Sequence, residues 1–207
     1  MQINGMMCYS GALFHTYTEY KKGGKPVKIV GISGSIVGEK TSQAVHEVLL
    51  AAKRQQKDVE TELIDLKDYE VEFVRGTPLA YYNEDTWYVV NTVLAADIIV
   101  FGSPIYQASI SGVLKNLLDH FPVDAFKSKV TGIITTGGSE KHFLVSEYQL
   151  KPILSYLKGI VPSCSVFIHN DSYNDDNEIV DPSILNRITL LTKEMMAIQQ
   201  RIELETQ

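Results

Sequence analysis

At 207 residues, with 44% hydrophobic and 21% charged side chains, the chain carries enough apolar material for one sizeable core and has the composition of a soluble globular domain. A formal net charge of −6 disfavours a polyanion such as nucleic acid as the main partner, and no apolar run approaches the roughly 18 residues that span a membrane. Cys8 and Cys164 lie far apart without metal-ligand spacing, as suits free thiols in a reducing cytoplasm.

Residues 1–26, "MQINGMMCYSGALFHTYTEYKKGGKP", lack the basic start and cleavage site of a secretory signal and close on a strand-breaking "KKGGKP". They are expected to be an extension ahead of a domain at 27–207. A first strand is predicted at 27–32, and the helix after it lines up Val45, Val48, Leu49 and Ala52 on one face. Residues 59–66 give a second strand. "YYNEDTWYVVNTVLAA" holds a helix with Val90, Val93 and Leu94 inward. "DIIVFGSP" (97–104), a third strand, is nearly all apolar, as a central strand covered on both faces requires. A helix over 111–121, a strand over 129–138, helical segments around Pro152 and a strand over 163–169 follow. Asp181 and Pro182 start the last helix, with Ile184, Leu185, Ile188, Leu191, Met195, Ile198 and Ile202 as its apolar positions.

Five strands alternating with helices imply an α/β fold, an open parallel sheet with helices on both faces. Five strands favour the flavodoxin-like order 2-1-3-4-5 over the six-stranded dinucleotide fold, and in either the ligand lies beyond the carboxyl ends of the strands. Three loop-forming segments leave such ends: "SGSIVGEKTS", "GSPIYQAS" and "TTGGSEKH". The first, a turn entering a helix, suits a phosphate, with Ser33, Ser35, Thr41 and Ser42 as hydroxyl donors. It is not a nucleoside-triphosphate loop, since three residues separate Gly34 from Gly38 and Glu39 precedes Lys40; glycines at 31, 34 and 38 also miss the dinucleotide fingerprint. The second is read as a Pro-Ile-Tyr turn forming a shelf for a flat heteroaromatic ring, and the third as backbone donors for that ring's polar edge. Each loop alone could be an ordinary glycine turn; their convergence on one rim points to a ligand.

"GSPIYQASISGVLKNLLD" together with "TTGGSEKHFLVSEYQLKPILSYL" resembles the NAD(P)H-dependent FMN reductases, in particular those of two-component alkanesulfonate-type monooxygenase systems. The resemblance covers about residues 27–191. It implies a flavodoxin-like fold, FMN as cofactor with NADPH or NADH as hydride donor, and a homodimer or homotetramer. By position, Ser35, Lys40, Thr41 and Ser42 match the family's phosphate loop. Pro104, Ile105, Tyr106 and Gln107 match its isoalloxazine shelf, and Thr136, Gly137, Gly138 and Ser139 the loop at the ring's pyrimidine edge. Lys40 stands where many relatives have arginine. Ile110 stands where some have an aromatic residue, which implies a more regular helix after it. No acid-base constellation is evident, as hydride transfer to a flavin requires none. His46 and His120 are expected to be structural or exposed, and the acidic "NDSYNDDNEIVD" a solvated loop and not a metal site. The reading is therefore an enzyme that reduces free FMN and hands it to a partner such as a flavin-dependent monooxygenase. An FMN-retaining quinone or azo reductase and a non-enzymatic flavodoxin-like carrier are the alternatives.

Overall fold

The computed structural model describes residues 26–205, so the expected N-terminal extension lies, but for Pro26, outside the described residues. β1 (Lys28–Ser33) leads into α1 (Lys40–Gln55), β2 (Glu60–Asp65) and, through two short 3₁₀ turns, α2 (Glu84–Leu94). β3 (Ile98–Tyr106) folds back into a two-residue strand, β4 (Ser109–Ile110), ahead of α3 (Gly112–Asp119). β5 (Val130–Gly137), α4 (Lys151–Tyr156), β6 (Val166–His169) and α5 (Pro182–Glu205) complete the element order. The parallel ladders run β2-β1-β3-β5-β6. This is the expected 2-1-3-4-5 order, with β4 off the parallel path.

Period-two alternation builds a core on each face of the sheet. Ile98 and Val100 point toward α1 and α5 with Val45, Val48, Ile188 and Leu191. Ile99 and Phe101 point the other way, toward Val90, Leu114, Leu117 and Leu154 of α2, α3 and α4. Each fully buried aliphatic side chain contributes roughly 1.5–3 kcal/mol. A strand with two covered faces has no solvent side on which to place polar residues, hence the apolar run in β3. α1 lies close over the sheet because Gly102 has no side chain. A Cβ there would stand 2.4 Å from Val45 Cγ2 and 3.2 Å from Thr41 Cγ2.

Two local features differ from expectation. Pro104, Ile105 and Tyr106 are not a turn; they extend β3 and pair antiparallel with β4, Ile105 opposite Ile110 and Tyr106 opposite Ser109. Past Gly102, β3 no longer has β1 beside it, and proline is tolerated at such an edge. The helical stretch around Pro152 opens with a π turn, Ser146–Leu150, before α4. Pro152 has no N–H for the carbonyl of Tyr148 and its ring crowds that carbonyl, so the backbone widens there. α3, by contrast, is regular, as Ile110 implies.

Candidate functional site

The strand register sets the site. Asp65, Ser33, Gly102, Ile134 and Val166 lie side by side across the sheet, where β1 and β2 end while β3, β5 and β6 run on. β1 sends its crossover toward β2, whereas β3 lies on its other side, so the topological switch point is the β1/β3 crevice. Gly34 leaves β1 in that crevice, its N–H donating to Gly102 O at 2.8 Å. A Cβ at Gly34 would meet Gly102 O and Leu114 Cβ, both at 2.8 Å, so a larger residue would push the loop off the sheet. Ser111 fastens the crevice: its hydroxyl donates to Gly34 O at 2.5 Å and accepts from Leu114 N, while its own N–H donates to Ser103 Oγ at 3.0 Å.

α1 begins at this crevice without a side-chain cap. α2 and α3 are capped by Asn83 and Ser111, and Asp181 accepts from Ser183 N at the start of α5. An uncapped N-terminus presents free N–H donors and the positive end of the helix dipole, which together favour an anion. The predicted hydroxyls lie here. Ser35 is buried and donates to Val37 O at 2.8 Å. Thr41 Oγ1 meets Thr136 Oγ1 at 2.9 Å, joining the first loop to the third. Ser42 is turned toward Glu39, donating to its backbone O at 2.9 Å and its carboxylate at 3.2 Å. Glu39 is paired with Lys67 at 2.6 Å. The hydrogen bond from Lys67, and then its charge, hold the Glu39 carboxyl below the usual carboxylate range. Ser33 Oγ, one residue before Gly34, is buried with no partner among the described residues and leaves hydrogen-bonding capacity at the strand end.

The second segment stands beside the third, with Pro104 paired to Thr136. Pro104 and Ile105 are buried, whereas Tyr106 is 49% exposed and followed by the exposed Gln107 and Ala108. Gln107 and Ala108 both have positive φ, 50° and 57°, which makes the β3–β4 link a two-residue turn of left-handed residues. The third segment leaves β5 at Gly137, paired with His169, and runs through the exposed Gly138 and the half-buried Ser139 into a 3₁₀ turn at Glu140–Phe143. His142 lies beside Gly137, its Nδ1 buried without a partner among the described residues.

The segment after β6, read from sequence as a solvated loop, is a fourth wall. Lys40 Nζ donates to Asn170 O at 3.2 Å and lies 5.3 Å from the centre of the Tyr173 ring, and Tyr173 donates to Lys40 O at 2.9 Å. Burial drives the Tyr173 hydroxyl pKa well above the ordinary tyrosine value, so it remains a donor. Asn170, Tyr173, Ser103 and Ser111 escaped sequence reading because their partners lie 8 to 133 positions away. His120 is away from the rim: its Nε2 lies 2.8 Å from Glu72 O and its ring packs edge-on against Tyr82.

Residues 27–172 match the NADPH-dependent FMN reductase family. The chain belongs to that family. It is 46% identical to an NAD(P)H-dependent FAD/FMN reductase of Geobacillus thermodenitrificans over 170 residues, 82% of this chain and 92% of the relative. An NADH-dependent FMN reductase of Pseudomonas putida is 30% identical over 69% of this chain and 76% of its own length. Among solved structures, an oxidoreductase from Corynebacterium diphtheriae superposes with a TM-score of 0.72 at 21% identity, over 85% of this chain and 98% of that one.

The rim fits the FMN that membership of the NADPH-dependent FMN reductase family implies. The uncapped α1 suits a phosphate, the β3–β4 hairpin offers an apolar ledge with one half-exposed aromatic ring, and the backbone after Gly137 offers polar groups at the ledge's far side. A separate cavity of about 320 Å³ opens on the β2 side of α1, lined by Glu39, Ser42, His46, Asp65, Lys67 and Tyr69 among others. It is polar and shares Glu39, Ser42 and Asp65 with the β2 end of the rim.

Proposed function

We propose that this protein is an NAD(P)H-dependent FMN reductase whose flavin exchanges between turnovers and leaves, reduced, for a partner such as a flavin-dependent monooxygenase. The observation that carries the reading is the meeting of three rim segments at an uncapped helix N-terminus, tied by the Thr41–Thr136 and Gly34–Gly102 hydrogen bonds. When bound, FMN supplies the hydride-accepting ring and thereby the redox chemistry. Ser35, Lys40, Thr41 and Ser42 surround the phosphate end, where backbone N–H groups of α1 do most of the holding. Pro104, Ile105, Tyr106 and Gln107 carry the ring, and Thr136, Gly137, Gly138 and Ser139 meet its polar edge. The residues bind and orient two flat rings, which converts an encounter between nucleotides into a reaction within one site.

Exchange follows from how weakly such a site grips. Lys40 is the one cation of the loop, and its ammonium is already engaged by Asn170 and Tyr173. Bidentate arginine contacts, which are roughly twice as strong as neutral hydrogen bonds, are missing from it. A cytoplasmic homodimer or homotetramer is part of the proposal.

The test is steady-state NAD(P)H oxidation against added FMN. Purified protein should be largely colourless, and its rate should saturate with FMN at micromolar levels, on the order of common Michaelis constants. Stoichiometric FMN that survives dialysis, with quinone reduction indifferent to added flavin, overturns exchange in favour of a flavin-retaining quinone or azo reductase. Absence of any steady turnover points instead to an electron carrier.

A further inference from the structure

The β3–β4 hairpin is held in an unfavourable shape by very little of itself. Gln107 and Ala108 both take the left-handed conformation, which residues with a Cβ adopt reluctantly and which persists only where surroundings enforce it. The hairpin has just two facing pairs, Ile105 with Ile110 and Tyr106 with Ser109, and a ladder so short is marginal on its own. The support comes from Gln149, some forty positions along the chain. Its Nε2 donates to Ala108 O at 2.8 Å, and its Oε1 accepts from Ser109 Oγ at 2.6 Å. Both ends of one side-chain amide are used, one on the turn and one on the residue that closes it, which fixes the amide's orientation as well as its place.

Gln149 is in turn placed by the π turn. Lys151 N–H donates to Ser146 O, five residues back, so the helix here is one residue wider than an α-turn. The neighbouring Leu150 is fully buried, and Ser146 Oγ donates to Phe143 O at 2.9 Å and lies 3.0 Å from Ser165 Oγ. These anchors hold the turn while Gln149 faces the hairpin. π turns recur at functional positions because they re-aim a side chain without breaking a helix.

We propose that Gln149 is a positioning residue for the flavin ring: it clamps the left-handed Gln107–Ala108 turn and so holds Tyr106 and Gln107 where the ring lies. The inference rests on the proposal that FMN occupies this rim. It assigns Gln149 no contact with flavin; its action passes through the backbone of Ala108 and the hydroxyl of Ser109.

The experiment compares wild type, Gln149→Ala and the double variant Gln149→Ala with Ala108→Gly. Hydrogen exchange of the 105–110 amides is followed without flavin, and FMN affinity by flavin fluorescence quenching. Glycine takes the left-handed conformation freely, so it restores the turn without restoring either hydrogen bond. Gln149→Ala should speed exchange across the hairpin and raise the FMN dissociation constant about tenfold each, the scale of one or two neutral hydrogen bonds, with the melting temperature of the apo-protein nearly unchanged. The double variant should recover most of both. Unchanged hairpin exchange in Gln149→Ala overturns the clamp. Faster exchange with unchanged FMN affinity overturns the link from hairpin to flavin. Lost affinity that Ala108→Gly fails to recover, despite restored exchange protection, overturns action through the turn. A wild type that binds no FMN overturns the rim reading and this inference together.

Discussion

Glu39 places a negative charge at the N-terminus of α1, which no side chain caps. A carboxylate there suits the helix dipole but repels a phosphate arriving at the same N–H groups. Lys67 restrains it, and Ser42 spends its hydroxyl on it. Glu39→Gln should therefore tighten FMN binding about two- to fivefold at neutral pH, the scale of one screened surface charge, measured by flavin titration at two ionic strengths. The same residue shapes the acid limb of stability. Its folded-state pKa is lowered, so the ion pair stabilises above the ordinary carboxylate value of 4.5 and that contribution fades as pH falls through the folded-state value. Cys164 shows the opposite sign. Burial, and then the hydrogen bond it donates to Glu194 Oε2 at 3.2 Å, push its thiol up to about 11. The proton-bearing form is favoured by folding, so this contribution is complete below the ordinary thiol value of 9.0 and is lost as pH rises toward 11. At pH 8, alkylation of Cys164 should be roughly a hundredfold slower than that of a free thiol, with Glu194→Gln accelerating it. Peptide-resolved mass spectrometry reads Cys164 separately from Cys8.

At the scale of elements, the seat of α1 on the sheet decides where its N-terminus points. Gly102 is the low point of that seat, with Val45 resting on it. Gly102→Ala forces a Cβ against a stiff β-branched side chain, and overpacking of this kind costs about 1–3 kcal/mol. A loss of about 3–10 °C in the melting temperature is expected for a chain of this size. FMN affinity should fall as well, because the lifted helix carries the Thr41–Thr136 bond with it. Val45→Ala in the same chain should recover part of both, and the thermal melt and flavin titration of the three variants check it. The "GSP" after the apolar run of β3 is legible as a strand end, yet the strand continues to Tyr106 and the turn falls at Gln107 and Ala108. Those residues carry no turn signature of their own; Gln149 imposes the turn from elsewhere. Pro152 did announce an interruption of its helix, but which side chain the resulting π turn would aim could not be read from spacing.

For the whole molecule, the question is which surface meets another copy. α3 leaves little for it, since Leu114, Leu117 and Leu118 are all buried within the chain. α2 and the segment before it keep Phe73 at 79% and Trp87 at 53% exposure, with Tyr81 and Tyr88 also exposed. Large apolar groups left exposed in numbers commonly mark an interface. Sedimentation should therefore give a dimer or tetramer at micromolar concentration, and Trp87→Glu should shift it toward monomer while its melting temperature, read at high dilution, changes little. A wild type that is monomeric throughout counts against the oligomer. No helix among the described residues is long and apolar enough to cross a membrane.

Alternating strand and helix signals in the sequence located the five parallel strands and the three strand ends that make the rim, because a strand covered on both faces must be apolar throughout; their order followed from the strand count and the handedness of the crossovers. The same signals also located the glycine turn that runs from β1 into α1, since a strand-to-helix turn is a local structure written in consecutive residues. Tertiary structure decided the rest: that Ser42 and Lys40 are already engaged by Glu39 and Asn170, that the loop after β6 closes over the start of α1, and that a glutamine from a π turn holds the hairpin. Each depends on side chains distant in sequence that only folding brings within about 3 Å, the reach of a hydrogen bond, and spacing along the chain carries no record of such meetings.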